Sequence, residues 1–358
     1  MKLLTIANMY PSAKDPTYGT FVRTTADGLQ SLDNEDRHGK VVISGRRYSK
    51  VAKIAAYAKF YTIATWKLLF GRYDCLYVHT LTFPTPAVLT ALFVRRKVRP
   101  VVHVHGNDLL SEVFLKKTLR RMASPIIRRA RYIIVPSNYF RTLFMSRYPS
   151  VPAERVIVSA SGGVGENFFA ERARMRGKIV TIGYVSRIDE GKGWDTYLKA
   201  FAILKEKGIE VRGIMAGTGV QTAEMLAMKC RLGLDGVVDY RGAVAPDKLP
   251  AMYGEMDLFA FPTRSDESLG LVGLEALAGG VPVIASDIGG PAEYVIDGAN
   301  GEKTVPGSAE SLAESIEKMM GMTGEEYSAM SGRAIESVRP YLSGNVMAGL
   351  WGILSSEQ

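Results

Sequence analysis

Two carboxylates flank a predicted helix start in the second half of the chain. Glu267 lies in a polar loop, and Glu275 lies inside the following helix among apolar neighbours. A carboxylate in such surroundings is costly to bury without hydrogen-bond donors, and the vicinal diol of a ribose offers two. Between the acids, the backbone amides of Gly270, Leu271 and Val272 open the helix, where free N–H groups suit a phosphate. This segment could hold a sugar, a phosphate and a ribose; two solvated acids on a surface helix are the alternative.

Two cations occupy another loop, SRIDEGKG, between a predicted strand and a predicted helix. Arg187 and Lys192 at this place would hold a diphosphate and offset the charge that grows on it as it leaves. A pair of surface cations is the simpler alternative. The next strand ends in the tight turn AGTG, which is predicted to face the same cleft, so Gly217 joins the predicted ligand-binding residues.

Two residues in the first half of the chain follow predicted strands. Ligands of open α/β sheets bind beyond the carboxyl ends of the strands, so His105, at the end of VVHVH, is placed to reach one. A lone histidine is more often structural. Gly19 lies where a helix begins after the first strand, with Thr20 as the expected cap, and this arrangement suits a phosphate. Taken alone, a simple turn glycine is the better interpretation of Gly19.

Strands alternate with helices along the whole chain, twice over. This order predicts an α/β protein of two doubly wound Rossmann-like domains that face each other across a cleft. We place the domains at residues 1–165 and 166–340. The charged segment Glu171–Lys178 lacks apolar periodicity and is predicted to be the interdomain linker.

The helix predicted over Val51–Phe70 is the most apolar long stretch of the chain. Lys53, Lys59 and Lys67 interrupt it, which argues against a transmembrane helix. Its aromatic side chains form a stripe that we interpret as facing the core, with contact to lipid headgroups as the alternative. The stripe consists of Tyr57, Phe60, Tyr61 and Trp66.

Composition sets broad limits on the protein class. The chain has 358 residues, of which 47% are hydrophobic, so it can bury the cores of two domains. Its start, MKLLTIANMYPS, is typical of a first strand rather than a signal peptide. Cys75 and Cys230 lie far apart and are predicted to be reduced, which favours a cytoplasmic protein. Neither repeats nor a metal-ligand cluster are visible in the sequence.

Charge is distributed unevenly between the two predicted domains. Residues 1–165 hold 26 Lys and Arg against 9 Asp and Glu, about +17, whereas residues 166–358 hold 19 against 27, about −8. Such asymmetry indicates two domains with different partners. A basic half suits nucleic acid, an anionic membrane or a phosphorylated acceptor.

The stretch ESLGLVGLEALAGGVPVIASDIGGPAEYVIDGANG closely resembles the donor-site motif of retaining glycosyltransferases of family 4, which have the GT-B fold. SRIDEGKG is similar to the G-R-L…K-G motif of that family, with Ser186 in place of the usual glycine, and HGND is similar to H-G-x-D. The resemblance implies that Glu267 contacts the transferred sugar and that Glu275 binds the ribose. It further implies that His105 contacts the donor sugar near the reaction centre. The family's glycine pair near the N-terminus is reduced here to Gly19.

The activity that this resemblance implies is transfer of a sugar from a nucleotide diphosphate sugar to an acceptor, with retention at the anomeric carbon. In the family, the leaving phosphate helps to deprotonate the acceptor on the same face. We expect no metal and no other cofactor, because the sequence has no D-x-D pair and the two cations and the helix amides would do the metal's work. A nucleotide-sugar phosphorylase or epimerase and a non-catalytic nucleotide-sugar binder are the alternatives. A nucleic-acid binder would leave the donor motif unexplained.

The resemblance also assigns the donor to the second domain and the acceptor to the first, with the C-terminal helix, residues 341–358, packing back on the first domain. Cationic clusters recur in the first domain at Arg46–Lys59, Arg95–Arg99 and Lys116–Arg131. They predict peripheral contact with an anionic membrane that carries a lipid-linked sugar or other glycan acceptor, as in bacterial-type polysaccharide synthesis. The alternative is a soluble enzyme whose charge only aids solubility.

Overall fold

A computed structural model describes residues 1–15, 18–33, 38–95, 97–171, 173–175, 177 and 179–355, and describes Asn107 by its backbone. The chain divides into two compact units. The first unit comprises Met1–Gly163 and Ser343–Gln358, and the second comprises Val164–Leu342.

The first unit is built on a parallel sheet with strand order β2-β1-β3-β4-β5-β6. Nearly all side chains of its central strands are buried, because helices cover both faces of the sheet. The strands are β1 (Leu3–Tyr10), β2 (Gly39–Ser44), β3 (Cys75–His79), β4 (Val101–His103), β5 (Tyr132–Val135) and β6 (Val156–Val158). The helices are α1 (Thr20–Ser31), α2 (Lys50–Phe70), α3 (Thr85–Val94), α4 (Gly106–Leu110), α5 (Phe114–Met122), α6 (Ser124–Arg129) and α7 (Asn138–Arg147).

The second unit repeats this architecture with a parallel sheet of order β12-β11-β10-β7-β8-β9. Its strands are β7 (Val180–Val185), β8 (Val211–Ala216), β9 (Val238–Tyr240), β10 (Leu258–Phe261), β11 (Val283–Ser286) and β12 (Gly301–Thr304). Its helices are α8 (Trp194–Glu206), α9 (Thr222–Arg231), α10 (Leu249–Tyr253), α11 (Leu271–Ala278), α12 (Pro291–Tyr294), α13 (Ala309–Met320) and α14 (Gly324–Val338). The predicted fold class, two doubly wound Rossmann-like α/β domains, is confirmed.

The last helix, α15 (Ser343–Ser355), belongs to the first unit. It buries Met347, Leu350 and Leu354 in one apolar cluster with Leu3 and Leu29. This cluster covers the sheet face opposite to the one covered by α2 and α3. The C-terminal segment therefore completes the core of the first unit.

The prediction that Glu171–Lys178 is the interdomain linker is wrong. The chain passes from one unit to the other at Gly163–Val164 and at Leu342–Ser343, so the described residues of this segment belong to the second unit. Arg174 anchors them: its amide donates to Ser331 Oγ at 2.9 Å, and its guanidinium donates to the carbonyl of Tyr253 at 3.2 Å. Arg174 thus satisfies carbonyls at the end of α10, a role that apolar periodicity does not reveal.

Helix α2 faces the core with only part of its predicted aromatic stripe. Phe60 is buried, and Tyr57 and Tyr61 pack partly against the same cluster. Trp66 is 64% exposed, so the prediction for this residue is wrong. Among the described residues, none of the helices combines the length and the apolarity that a membrane span requires.

Candidate functional site

The loop between β7 and α8 carries both predicted cations. Arg187 is ion-paired with Asp189, and its side chain remains 60% exposed. Gly193 ends the loop with φ 77°, and a Cβ at this position would overlap the carbonyl oxygen of Pro262. Because only glycine permits this approach, the loop packs directly on the segment that follows β10.

Lys192 reaches from this loop to Glu267. Its Nζ is ion-paired with Glu267 Oε1, and the two side chains are only 16% and 17% exposed. The loops themselves are joined by a hydrogen bond from the Arg264 amide to the Gly191 carbonyl at 2.7 Å. Two predicted site residues that stand 75 positions apart therefore lie in direct contact.

The backbone of Glu267 is fixed by the turn after β11. The amide of Gly290 donates to the Glu267 carbonyl at 2.8 Å. Glu267 is therefore held at its backbone by Gly290 and at its carboxylate by Lys192. A group fixed in this way is preorganised to receive the hydroxyl groups of a ligand.

Helix α11 begins at Leu271 with Gly270 as its cap residue. Gly270 has φ 79°, and a Cβ there would lie 2.6 Å from the ring of Phe261. Its carbonyl accepts from the Tyr294 hydroxyl at 2.8 Å. None of the described side chains caps this helix, so the first-turn amides of Leu271 and Val272 are available to an anion.

Glu275 lies one turn into α11 and is held by a residue that the sequence did not single out. The hydroxyl of Tyr253 donates to Glu275 Oε2 at 3.1 Å. Burial raises the pKa of Glu275 to about 7, and the hydrogen bond from Tyr253 partly opposes that rise. Burial also raises the pKa of Tyr253, which remains a neutral donor. Glu275 is therefore poised between its two protonation states near neutral pH.

Gly217 follows β8 and lies against the loop that carries Arg187. Its amide donates to the Gly242 carbonyl at 2.7 Å, and its own carbonyl accepts from the Tyr240 hydroxyl at 2.8 Å. A Cβ at Gly217 would overlap the carbonyl oxygen of Ser186. The structure thus gives Gly217 a packing role, while its contact with a ligand stays a prediction.

In the first unit, His105 follows β4 and is fixed by Asp108. The Asp108 carboxylate accepts from the His105 amide at 2.8 Å and from the Leu81 amide at 3.1 Å. Burial raises the pKa of Asp108 to about 7, against the lowering effect of its backbone hydrogen bonds. These bonds tie the turn after β4 to the turn after β3, which sets the position of the imidazole.

Three histidines lie together at the carboxyl ends of β3 and β4. His79 Nδ1 and His105 Nε2 are 3.0 Å apart, and His103 Nδ1 lies 2.9 Å from the Tyr77 hydroxyl. Burial lowers the pKa of all three, that of His103 to about 3, so the rings are neutral.

The sequence did not reveal this histidine cluster. One nitrogen from each of His79, His103 and His105 lies within 4.8 Å of the others, so the group has the composition of a metal site. The expectation that the protein uses no metal stays a prediction. The sequence hid the cluster because its members come from adjacent strands, on which His79 pairs with His103.

Gly19 belongs to the same unit as His105 and follows β1 of the same parallel sheet. It occupies the cap position of α1 in the left-handed region, and Thr20 is already the first helical residue, so the expected cap at Thr20 is wrong. Two residues after Gly19, the centre of the Phe21 ring lies 4.3 Å from the centre of the His105 ring. The structure thus brings the first glycine turn and the predicted histidine to one edge of the sheet.

Thr80, next to the histidine cluster, has a strained backbone. Its φ is 73°, which is unfavourable for a β-branched residue. Its amide donates to the His103 carbonyl at 2.9 Å, and its hydroxyl donates to Asn8 Oδ1 at 3.3 Å. Strain of this kind is concentrated at functional sites. Sequence reasoning missed Thr80 because nothing in its residue type signals a backbone outlier.

Two family models match the chain, one in each unit. The model described as "Glycosyltransferase Family 4" matches residues 21–162, and "Glycosyl transferases group 1" matches residues 166–337. Together they cover most of the chain.

Curated relatives and solved structures extend this result. A GDP-mannose-dependent alpha-(1-6)-phosphatidylinositol monomannoside mannosyltransferase of Mycobacterium tuberculosis is 29% identical over 70% of this chain and 71% of its own. An alpha-D-kanosaminyltransferase of Streptomyces kanamyceticus is 26% identical over 62% and 61%. The crystal structure of HepE from Anabaena in complex with UDP and glucose is 22% identical, covers 99% of this chain and 100% of its own, and has a TM-score of 0.75.

Proposed function

The chain belongs to the group 1 glycosyltransferases of family 4, and we propose that it transfers a sugar from a nucleotide diphosphate sugar to a glycan or lipid-linked acceptor, with retention. The family membership rests on the two models that match its two units. A relative that uses GDP-mannose and a structural neighbour that binds UDP and glucose support this donor class. Hexosyl transfer in polysaccharide or glycoconjugate synthesis is the form that we expect.

The observation that carries the proposal is the Lys192–Glu267 ion pair beside the uncapped start of α11. In the donor complex, Glu267 accepts hydrogen bonds from hydroxyl groups of the sugar. The amides of Leu271 and Val272 bind the diphosphate. One oxygen of Glu275 is already held by Tyr253, and the other accepts from the ribose diol.

The proposed reaction breaks the bond between the anomeric carbon and the terminal phosphate oxygen, which keeps the electron pair. Arg187, Lys192 and the amides of α11 stabilise the negative charge that develops on this oxygen. The acceptor hydroxyl attacks the same face of the sugar and forms the new glycosidic bond, and its proton passes to the leaving phosphate. His105 contacts the transferred sugar, and the Gly19 turn lies against the diphosphate. No metal ion is required in this proposal, because the fixed cations and amides take that role.

Product analysis with a panel of nucleotide sugars tests this function. A thermal-shift screen first identifies the donor, since a ligand that binds the folded state raises stability by mass action. The bound donor is then incubated with lipid-linked and soluble glycan acceptors. We expect release of nucleoside diphosphate together with an acceptor glycoside of retained configuration. Binding without turnover would indicate a non-catalytic binder, and phosphate-dependent cleavage or interconversion of the free nucleotide sugar would indicate a phosphorylase or an epimerase.

We further propose that the first unit contacts an anionic membrane through α2. The solvent side of this helix carries large apolar residues, among them Val51, Ile54 and Trp66, which are 78%, 70% and 64% exposed. Lysines at positions 50, 53, 59 and 67 are interspersed with them. Exposed apolar and cationic side chains on one helix are typical of helices that lie in a membrane interface. Liposome sedimentation tests the contact, which should require anionic lipid and weaken at high salt.

A further inference from the structure

A cavity of about 650 Å³ lies in the first unit, away from the histidine cluster. It is at the amino ends of β3, β4 and β5, because Cys75 begins β3 and Arg131 directly precedes β5. The histidine cluster lies at the opposite, carboxyl ends of the same strands. Among the described residues that line this cavity, none has a predicted role in donor binding or catalysis.

Four of the nine residues that line the cavity are cations. Arg95, Lys97, Arg99 and Arg131 contribute positive charge, and Asp74 is the acidic residue among the lining side chains. The Asp74 carboxylate already accepts from the Lys2 amide at 2.8 Å. Burial raises the pKa of the lining Cys75 thiol to about 12, so it stays neutral. A concave surface with this charge balance attracts an anion.

Arg95 is held in place before any ligand binds. Its guanidinium donates to the carbonyls of Leu68 at 3.2 Å and Gly71 at 2.9 Å, at the end of α2. It also lies 4.7 Å from the centre of the Tyr73 ring. These contacts fix one wall of the cavity, which lowers the entropy lost when an anion is bound.

Large apolar side chains stand beside the cations. Phe93 and Val94 directly precede Arg95 and are 81% and 62% exposed. At the end of α2, Trp66 and Phe70 are 64% and 67% exposed, with their rings 4.6 Å apart. Aromatic residues next to cations are typical of the headgroup region of a membrane, and a cavity for a free anion needs no such rim.

We propose that this cavity binds the phosphate of an anionic phospholipid headgroup, while Trp66, Phe70, Phe93 and Val94 enter the boundary between headgroups and acyl chains. The inference rests on the membrane contact proposed above and gives it a specific phosphate site. The site lies at the edge of the sheet opposite to the histidine cluster, so we expect it to hold the enzyme at the lipid surface without taking part in transfer.

Charge reversal at the cavity tests the site in the full-length protein. In the Lys97→Glu/Arg99→Glu variant, sedimentation with vesicles of phosphatidylcholine and phosphatidic acid should weaken by at least about tenfold. The matched control is Arg212→Glu/Arg231→Glu, which changes the same charge at exposed positions of the second unit and should bind like wild type. Both variants should keep the thermal shift that a nucleoside diphosphate gives to wild type, which shows that they are folded. Wild-type vesicle binding by the cavity variant would overturn the site and leave the membrane contact standing.

A second measurement separates lipid from free anion. Short-chain phosphatidic acid, below its micellar concentration, should stabilise wild type at a concentration at least about tenfold lower than inorganic phosphate does, because only the lipid engages the apolar rim. The Trp66→Ser/Phe93→Ser variant should lose that difference. Equal affinity of wild type for both compounds would overturn the lipid assignment. Failure of wild type to bind anionic vesicles would overturn both the membrane contact and this site, whereas the transferase activity is judged separately by product analysis.

Discussion

Lys192 is ion-paired with Glu267, and the contact joins the loop after β7 to the loop after β10. These strands are neighbours in the sheet of the second unit, so their carboxyl ends lie at one edge. In the proposed donor complex, the diphosphate would face the Lys192 ammonium group and the sugar would face the Glu267 carboxylate. Both side chains are mostly buried, so each depends on the other for compensation of its charge.

Replacing Lys192 with alanine should lower both stability and turnover. The unpaired Glu267 should cost about 1–3 kcal/mol in the free energy of unfolding, measured by urea denaturation. Loss of a group that stabilises the leaving diphosphate should slow turnover by about 10²–10³-fold. The exposed Lys207–Glu317 pair supplies the control, since Lys207→Ala should change neither quantity appreciably. Unchanged turnover of Lys192→Ala would refute the catalytic role.

Replacing Arg187 with alanine should slow turnover without lowering stability. Its side chain is 60% exposed, so Arg187→Ala should unfold at the same urea concentration as wild type. If the guanidinium stabilises the leaving diphosphate, kcat should still fall by about 10²–10³-fold. Arg231→Ala removes an exposed cation of the same unit and serves as the control. A kcat equal to that of wild type would count against the assignment.

Nucleotide affinity should depend on the protonation of Glu275. Because the pKa of Glu275 is raised to about 7, the carboxyl is mostly protonated at pH 6 and mostly ionised at pH 8. A ribose diol donates to the ionised form, so affinity for the nucleoside diphosphate should rise with pH through about 7. Isothermal titration calorimetry should show this rise in wild type and a weak, flat profile in Glu275→Gln. Equal affinity and an equal profile in both proteins would exclude the ribose contact.

Tyr253 should set the midpoint of that pH profile. Its hydroxyl stabilises the ionised carboxylate, so Tyr253→Phe should raise the pKa of Glu275 and move the rise in affinity to higher pH. A role in packing alone would lower affinity at every pH and leave the midpoint where it is. Tyr240→Phe, which removes a hydroxyl bonded to the Gly217 carbonyl instead, is the matched control.

Turnover should persist in excess chelator. The proposed stabilisation of the leaving group comes from Arg187, Lys192 and the amides of α11, so removing divalent ions should leave kcat unchanged. Loss of activity that Mg²⁺ or Mn²⁺ restores would contradict this prediction. Loss that only a transition-metal ion restores would also contradict it and would direct attention to His79, His103 and His105.

The sequence predicted those features that local patterns encode. Short apolar runs bounded by glycine and proline predicted the strands, since strands buried on both faces need apolar side chains throughout. The start of α11 followed from Gly270 and the helix pattern after it. The strand–loop–helix pattern likewise predicted where the loop of Arg187 and Lys192 would lie.

Features that depend on packing between distant segments could not be predicted. The cluster of His79, His103 and His105 exists because β3 and β4 pair in one register, which no single strand reveals. Tyr253 reaches Glu275 from another helix. Arg174 occupies a charged run of the kind that usually marks a solvated linker, and its role depends on carbonyls 79 residues away. In each case the role of the residue depends on which distant residue it contacts, and its type alone does not reveal that contact.

Because α15 packs on the first unit, it affects when each unit can finish folding during synthesis of the protein. The second unit is one continuous segment, whereas the first needs Met347, Leu350 and Leu354 to cover Leu3 and Leu29. During translation, that apolar face remains open until α15 has left the exit tunnel. The first unit, most of which is made first, is therefore completed only after the whole of the second unit has been synthesised.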